Sequence, residues 1–324
     1  MKKIFLFLLL FLVIAGIAGF SYLKLALPDT GPAPNLKITV TPERIERGKY
    51  LANHVMVCTD CHSTRNFDLY AAPIIPGTEG KGGERFDQHM GFPGEYTASN
   101  ITAKHLGSWT DGEIFRALTT GVNKQGKALF PVMPYLAYGK IDKEDIFAVI
   151  AYIRTLKPID AEQPASKSDF PMSLVINTIP QKASFTAKPA KTDLVAYGRY
   201  MITAAACADC HTPQENGKQI EGMTYAGGMK FQLPDVTIQS ANITPDKETG
   251  IGNWTEQQFV SRFKSYDLTK NPPRKVGAGE MKTTMPWTMY AGMDTTDLKA
   301  IYQYLRTVKA VHHQTERMVM NKAD

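Results

Sequence analysis

The chain has 324 residues, 43% hydrophobic and 21% charged. That is the make-up of a folded protein, and it excludes wholesale disorder, a collagen-like repeat and a polytopic membrane protein. The net charge is +6, yet residues 41–160 hold 14 basic and 14 acidic side chains and residues 192–310 hold 13 and 12. Neither stretch carries the domain-wide basic field that a nucleic-acid partner requires. Length alone predicts about two domains. Four cysteines are too few for a disulfide-stapled scaffold.

Met1-Lys2-Lys3 precedes an uncharged run of twenty residues from Ile4 to Leu23. At about 1.5 Å per residue this spans about 30 Å, one bilayer core. A secretory apolar region usually has only about 7–15 residues, so the length favours a retained anchor. Cleavage of a signal near Gly16-Ile17-Ala18 is the alternative. Lys2 and Lys3 place the N-terminus inside and the remainder across the membrane. The expected location of the folded part is therefore the far side of a membrane, tethered there or released after cleavage. Pro28, Gly31, Pro32 and Pro34 mark a spacer.

The rest of the sequence is one pattern written twice. Gly48-Lys-Tyr50 returns as Gly198-Arg-Tyr200, Cys58-Thr-Asp-Cys61-His62 as Cys207-Ala-Asp-Cys210-His211, and Gly82-Gly-Glu-Arg-Phe86 as Gly227-Gly-Met-Lys-Phe231. Asn100-Ile-Thr102 returns as Asn242-Ile-Thr244, Trp109-Thr110 as Trp254-Thr255, Met133-Pro-Tyr135 as Met285-Pro-Trp287, and Tyr152-Ile-Arg-Thr155 as Tyr304-Leu-Arg-Thr307. The order is kept and the offsets lie between 142 and 152. This reads as a tandem duplication: 1–24 anchor or signal, 25–40 spacer, 41–157 first domain, 158–191 connector, 192–310 second domain, 311–324 tail.

Within each copy the elements come in the same order. Thr41-Pro42 opens a helix with Ile45, Gly48, Leu51, Ala52 and Val55 on its apolar face. Thr110-x-x-Glu113 and Thr255-x-x-Gln258 are capping boxes. Asp142 and Asp294 open last helices with apolar residues at helical spacing. Between Cys-x-x-Cys-His and Asn-Ile-Thr the sequence reads as loop rich in glycine and proline, and no strand is expected. Asn100 and Asn242 fit a role in shaping their loops better than glycosylation.

Cys-x-x-Cys-His is the attachment signature of c-type haem. The two thiols reach the two vinyl groups of one porphyrin, and the histidine sits beneath the iron. A redox dithiol would need a neighbouring βαβ pattern, and zinc would be left a ligand short. The residues therefore predict two covalently attached haem c groups on Cys58, Cys61, Cys207 and Cys210, with His62 and His211 on the irons. Met133 and Met285 recur as Met-Pro-aromatic, 71 and 74 residues after those histidines, and are the expected sixth ligands. Such a pair suits electron transfer. Met56 reads as core; Met281, Met289 and Met293 compete in the second copy. His54, His89 and His105 read as surface or loop, and His312 and His313 as solvated.

On these motifs, and on Asn242-Ile-Thr-Pro-Asp-Lys-Glu-Thr-Gly-Ile-Gly-Asn-Trp254, the chain resembles the membrane-anchored multi-haem cytochrome c subunits of bacterial periplasmic dehydrogenases. The resemblance covers about residues 42–310. It implies an all-α fold of tandem class I cytochrome c domains. It also implies electron relay from a dehydrogenase subunit to quinone or an oxidase, with no catalysis by the chain itself. The first copy has a shorter loop at Asn100–Trp109, and two attachment motifs occur where many such subunits have three. Alternatives are a di-haem peroxidase or thiosulfate-oxidising enzyme with one iron that opens, and a haem sensor, which would want an output domain. Residues 262–282 hold six cations against Asp267 and Glu280, either as a solvated loop or as a docking patch for an acidic redox partner.

Overall fold

The structure, a computed structural model, describes residues 1–215, 217–233, 235–277 and 279–321. It opens with α1 (Lys2–Ser21), which runs on through one wider turn at Tyr22–Ala26. No residue of α1 or of that turn is buried. Lys2–Ala26 contains an 18-residue window of mean hydropathy 2.8 and is long and apolar enough to cross a membrane.

The first half follows as α2 (Pro42–Tyr50), α3 (Cys58–Cys61), β1 (Arg85–Phe86), β2 (Gly94–Thr97), α4 (Ala103–Leu106), α5 (Asp111–Thr120), α6 (Tyr135–Tyr138), α7 (Lys143–Ile153), β3 (Lys167–Ser168) and α8 (Met172–Val175). The second half comprises α9 (Leu194–Ala204), α10 (Cys207–His211), β4 (Gln214–Glu215), β5 (Lys218–Gln219), β6 (Lys230–Gln232), β7 (Val236–Gln239), α11 (Glu256–Lys264), α12 (Trp287–Tyr290), α13 (Thr295–Leu305) and β8 (Met318–Met320). Thr41 caps α2 through the Arg44 amide at 3.2 Å. Both capping boxes close in both directions, Thr110 with Glu113 and Thr255 with Gln258. These bonds satisfy amides that a helix start otherwise leaves open.

The core of each half is a close crossing of its first and last helices. α2 lies against α7 with Gly48 over the carbonyl of Ala148, and α9 lies against α13 with Gly198 over that of Ala300. In both places a Cβ would overlap the facing backbone, so the Gly-x-Tyr motif sets the helix separation. Leu51, Val55, Ile146 and Ile150 fill the first crossing, and Met201, Ile202, Leu298 and Leu305 the second, all fully buried.

The expectation of an all-α architecture is overturned. The chain is 38% helix and 9% strand, with three antiparallel sheets among the described residues, ordered β1-β2-β3, β4-β5 and β6-β7-β8. The strands are two to four residues long, too short for alternation to stand out in sequence. Their partners are also remote. Gly94 and Glu95 face Ser168 and Lys167, while Val236 and Thr237 face Met320 and Val319. The stretches read as connector and tail thus supply β3 and β8, the outer strands of equivalent sheets.

The two halves meet through reciprocal bonds. Tyr50 donates its hydroxyl to Asp297 at 2.7 Å and accepts the Asp294 amide at 3.0 Å. Tyr200 donates to Asp145 at 2.7 Å and accepts the Asp142 amide at 3.3 Å. Asp145 and Asp297 are buried. Arg47 forks onto Asp145 at 3.0 and 2.6 Å, and Lys188 adds a contact at 3.0 Å. Lys191 reaches Asp297 at 3.2 Å. Burial alone would raise Asp145, but Arg47, Tyr200 and Lys188 outweigh it and hold the carboxyl below its ordinary value.

Two outcomes are expected. Gly48→Ala and Gly198→Ala each lower unfolding stability by about 3 kcal/mol in denaturant titration, through overpacking against backbone, whereas Gly16→Ala, which meets nothing, leaves it unchanged. Because the folded carboxyl of Asp145 is depressed, its stabilisation is fully present above the unfolded value of about 3.9. It is lost as the pH falls through the lower folded value. Asp145→Asn removes that acid-dependent part and costs about 3 kcal/mol at neutral pH, since it breaks a buried pair; thermal melts across pH 2–7 read both.

Candidate haem-binding sites

Each Cys-x-x-Cys segment is one short helix entered through a left-handed residue, Val57 at φ +46° and Ala206 at φ +50°. Non-glycine residues adopt that conformation at a cost and only where surroundings impose it. A buried tyrosine imposes it here. Tyr138 donates its hydroxyl to the Met56 carbonyl at 2.9 Å, and Tyr290 donates to the Ala205 carbonyl at 3.1 Å. Each bond pins the residue two places before the first cysteine. Sequence reading missed both tyrosines, although each follows its Met-Pro element at the same spacing.

The four cysteines form no disulfide. Burial pushes the Cys58 and Cys207 thiols up to about 12, so they are neutral at pH 7. A reactive dithiol has the opposite tuning.

The histidines show the clearest preparation. His62 Nδ1 lies 2.6 Å from the Ser99 carbonyl, and His211 Nδ1 lies 2.7 Å from the Ala241 carbonyl. Burial lowers the pKa of both, against the pull of those carbonyls, so the imidazoles are neutral. Nδ1 then carries the proton and donates it, and the lone pair resides on Nε2. A carbonyl on one ring nitrogen is how proteins orient a metal-ligating histidine.

The Gly-Gly motif builds this contact. Gly82 donates its amide to the His62 carbonyl at 2.9 Å, and Gly83 donates to Ala98 at 2.8 Å. Gly227 and Gly228 repeat this toward His211 and Ser240, at 2.7 and 2.9 Å. All four glycines have positive φ. Gly82 and Gly227 also pass so close to residues 98–99 and 241–242 that no side chain fits. The loop is strapped between histidine and acceptor strand, which explains the spacing of the motif. Asn100 shapes the next turn, accepting from Thr102 at 2.9 and 2.7 Å and donating to the Ile159 and Ala161 carbonyls at 2.8 and 3.0 Å. Asn242 does the same with Thr244 and Val311.

The two Met-Pro elements share one backbone turn. Tyr135 donates its amide to the Met133 carbonyl at 2.7 Å and Trp287 to that of Met285 at 2.8 Å, with Pro134 and Pro286 at ψ +49° and +61°. Both methionines are half-buried beside the core, whereas Met56, Met289 and Met293 are buried within it. The donor chemistry thus fits a haem in each half: two neutral thiols, one neutral imidazole with a prepared Nε2, and one half-buried thioether.

Other sequence readings fare differently. His89 and His105 are exposed. His54 is half-buried in the junction of the halves, with Nδ1 3.0 Å from the Met289 carbonyl and its ring filling the space over Gly292. His312 is exposed, but His313 packs over Gly228 with Nδ1 3.0 Å from the Ala226 carbonyl. Most cations of 262–282 are engaged internally. Arg262 stacks on Tyr266 and Trp287, Arg274 stacks on Tyr70, Lys264 donates to the Ala291 and Met293 carbonyls, and Lys282 pairs with Asp235 at 2.9 Å. Tyr70 donates its amide to Arg274 and Val276 to Asp68, each at 2.9 Å. The stretch is a strap between the halves.

Residues 195–309 match the family model described as Cytochrome c. The second half is a cytochrome c domain, the type of protein that holds haem c covalently. Over most of its length the chain is similar to cytochrome c subunits of bacterial dehydrogenases. It is 30% identical to the fructose dehydrogenase cytochrome subunit of Gluconobacter japonicus, over 82% of this chain and 53% of that protein. It is 26% identical to the cytochrome c subunit of alcohol dehydrogenase (quinone) from Gluconobacter oxydans (strain 621H), over 82% and 55%. A diheme cytochrome c-type protein of Cereibacter sphaeroides is 25% identical, over 78% of this chain and 82% of its own. The chain spans about half the length of the two dehydrogenase subunits.

Proposed function

We propose that this chain is a di-haem electron carrier, built by duplication of one domain and held to the membrane by α1. It relays single electrons between a dehydrogenase and the respiratory chain. Cys58 and Cys61 tether one haem and Cys207 and Cys210 the other, with His62 and Met133 on the first iron and His211 and Met285 on the second. The observation that carries this reading is the pair of Nδ1–carbonyl bonds at His62 and His211, made by the same loop in both halves. The dehydrogenase partner rests on the names of the similar proteins. The anchor rests on the exposed apolar surface of α1, which water would not tolerate and lipid would, with Lys2 and Lys3 keeping its start inside.

Bound haem supplies a one-electron iron couple. The chain's residues fix how that couple behaves. Ser99 and Ala241 hold the imidazoles in one orientation and make Nε2 a better donor. Tyr138 and Tyr290 hold the entry to each attachment helix, so cysteines and histidine keep their relative places. Met133 and Met285 would each hold a haem iron through the thioether, which suits electron transfer rather than substrate chemistry.

Two measurements test this. A denatured, acid-acetone-washed sample retains colour and carries the mass of two porphyrins per chain; the paired change Cys207→Ala and Cys210→Ala halves both. A colourless sample refutes the reading. Met133→Ala and Met285→Ala each remove about half of the long-wavelength sulfur-to-iron charge-transfer band, lower one midpoint potential and let carbon monoxide bind that iron. Ready carbon monoxide binding to the unaltered protein would instead indicate an iron that opens.

A further inference from the structure

We propose that the segment Phe170–Ile179 is a second membrane-contact element, seated at the boundary of lipid headgroups and acyl chains beside the foot of α1. The proposal rests on the reading of α1 as a span. The segment is tied sideways to the last turn of that helix. Lys24 donates its ammonium to the Ser173 carbonyl at 2.7 Å, and Asn177 donates its amide to the Leu23 carbonyl at 3.0 Å, contacts that bridge 149 and 154 residues of sequence. Lys182 adds an ion pair to Asp29 at 3.3 Å. The depth of the span therefore fixes the depth of α8. A run of twenty apolar residues fills a bilayer core of about 30 Å, which places Tyr22 to Leu25 at the interface, where aromatic rings and lysines collect.

At that level the segment presents large apolar side chains to solvent. Phe170 is 79% exposed and Val175 39%, beside Leu25 at 86% and Tyr22 at 59% on the helix itself. The patch is continuous with the apolar surface of α1, and this continuity identifies lipid as its occupant. Because Phe170 directly follows β3, which belongs to the sheet of the first half, the contact sets the height and tilt of that half on the membrane.

The test uses full-length, haem-loaded protein in phosphatidylcholine–phosphatidylglycerol vesicles, each nitroxide being read against its own relaxation without oxygen or nickel so that the haem contribution cancels. Nitroxides are placed at F170C, V175C and, on the loop below Arg65, F67C. At positions 170 and 175 collision with lipid-soluble oxygen is expected to exceed collision with a water-soluble nickel chelate several-fold, and at position 67 the order reverses. If the protein stays with the vesicles after a carbonate wash while nickel dominates at 170 and 175, the proposal is overturned and the span reading stands. Suppression of both collisions assigns the patch to a protein partner and also overturns it. Release by carbonate means that the span reading itself has failed. An intact haem spectrum shows that each variant is folded, and V175C stands in should F170C misfold.

Discussion

The hydrogen bond from the imidazole Nδ1 of His62 to Ser99, and of His211 to Ala241, is the constraint around which each half is arranged. For the carbonyl to meet the ring, residues 98–99 and 240–241 must lie along the carbonyl side of the attachment helix, with only glycine between them. That requirement fixes the Gly-Gly turn. The turn leads into β1 and β6, whose pairing with β2 and β7 brings the chain back to the acceptor residue. Asn100 and Asn242, one residue on, then anchor the return of the chain after the last helix. One bond at the histidine thus explains why a fold centred on helices carries small sheets, and why their outer strands come from segments far along the sequence.

The second constraint is the junction of the halves. Each first helix offers a tyrosine hydroxyl to the buried aspartate at the start of the other half's last helix. Burying a carboxylate is costly unless it is fully bonded. Asp145 has Arg47, Lys188 and Tyr200, and Asp297 has Lys191 and Tyr50. Two of those partners, Lys188 and Lys191, come from the linking segment. The linker therefore contributes directly to the register in which the halves meet.

Much of this was legible from residue types. Cys-x-x-Cys-His and the capping boxes each encode a local event, and a local event leaves a local signature. The missing parts depend on distant partners. Tyr50 and Tyr200 were visible as repeat markers, but nothing nearby reveals that their hydroxyls reach across to Asp297 and Asp145. The strands escaped notice because Gly94–Thr97 and Val236–Gln239 alternate for only four residues. The cations of 262–282 read as a solvated loop or a docking patch because sequence shows charge but not stacking; Arg262 lies over Tyr266 and Trp287, and the half-exposed Arg274 lies over Tyr70. His54 and His313 have no counterparts in the other copy and still fill interior space over Gly292 and Gly228.

The backbone repeats, but the charges around the two attachment helices do not. In the first half Arg65 bridges Asp60 at 2.9 Å and also binds Glu84, with all three side chains nearly enclosed. In the second half the position of Arg65 is taken by Gln214 and that of Glu84 by Met229, and Asp209 keeps only the distant influence of Lys140. Burial raises Asp60 and Asp209 alike to about 6. The cation that offsets this belongs to the same half in one case and to the other half in the other. Burial keeps the Tyr138 and Tyr290 hydroxyls protonated, so both stay donors to the carbonyls of Met56 and Ala205. The two Cys-x-x-Cys segments thus share one backbone frame but not one charge balance: an enclosed ion-pair cluster flanks the first and is missing from the second.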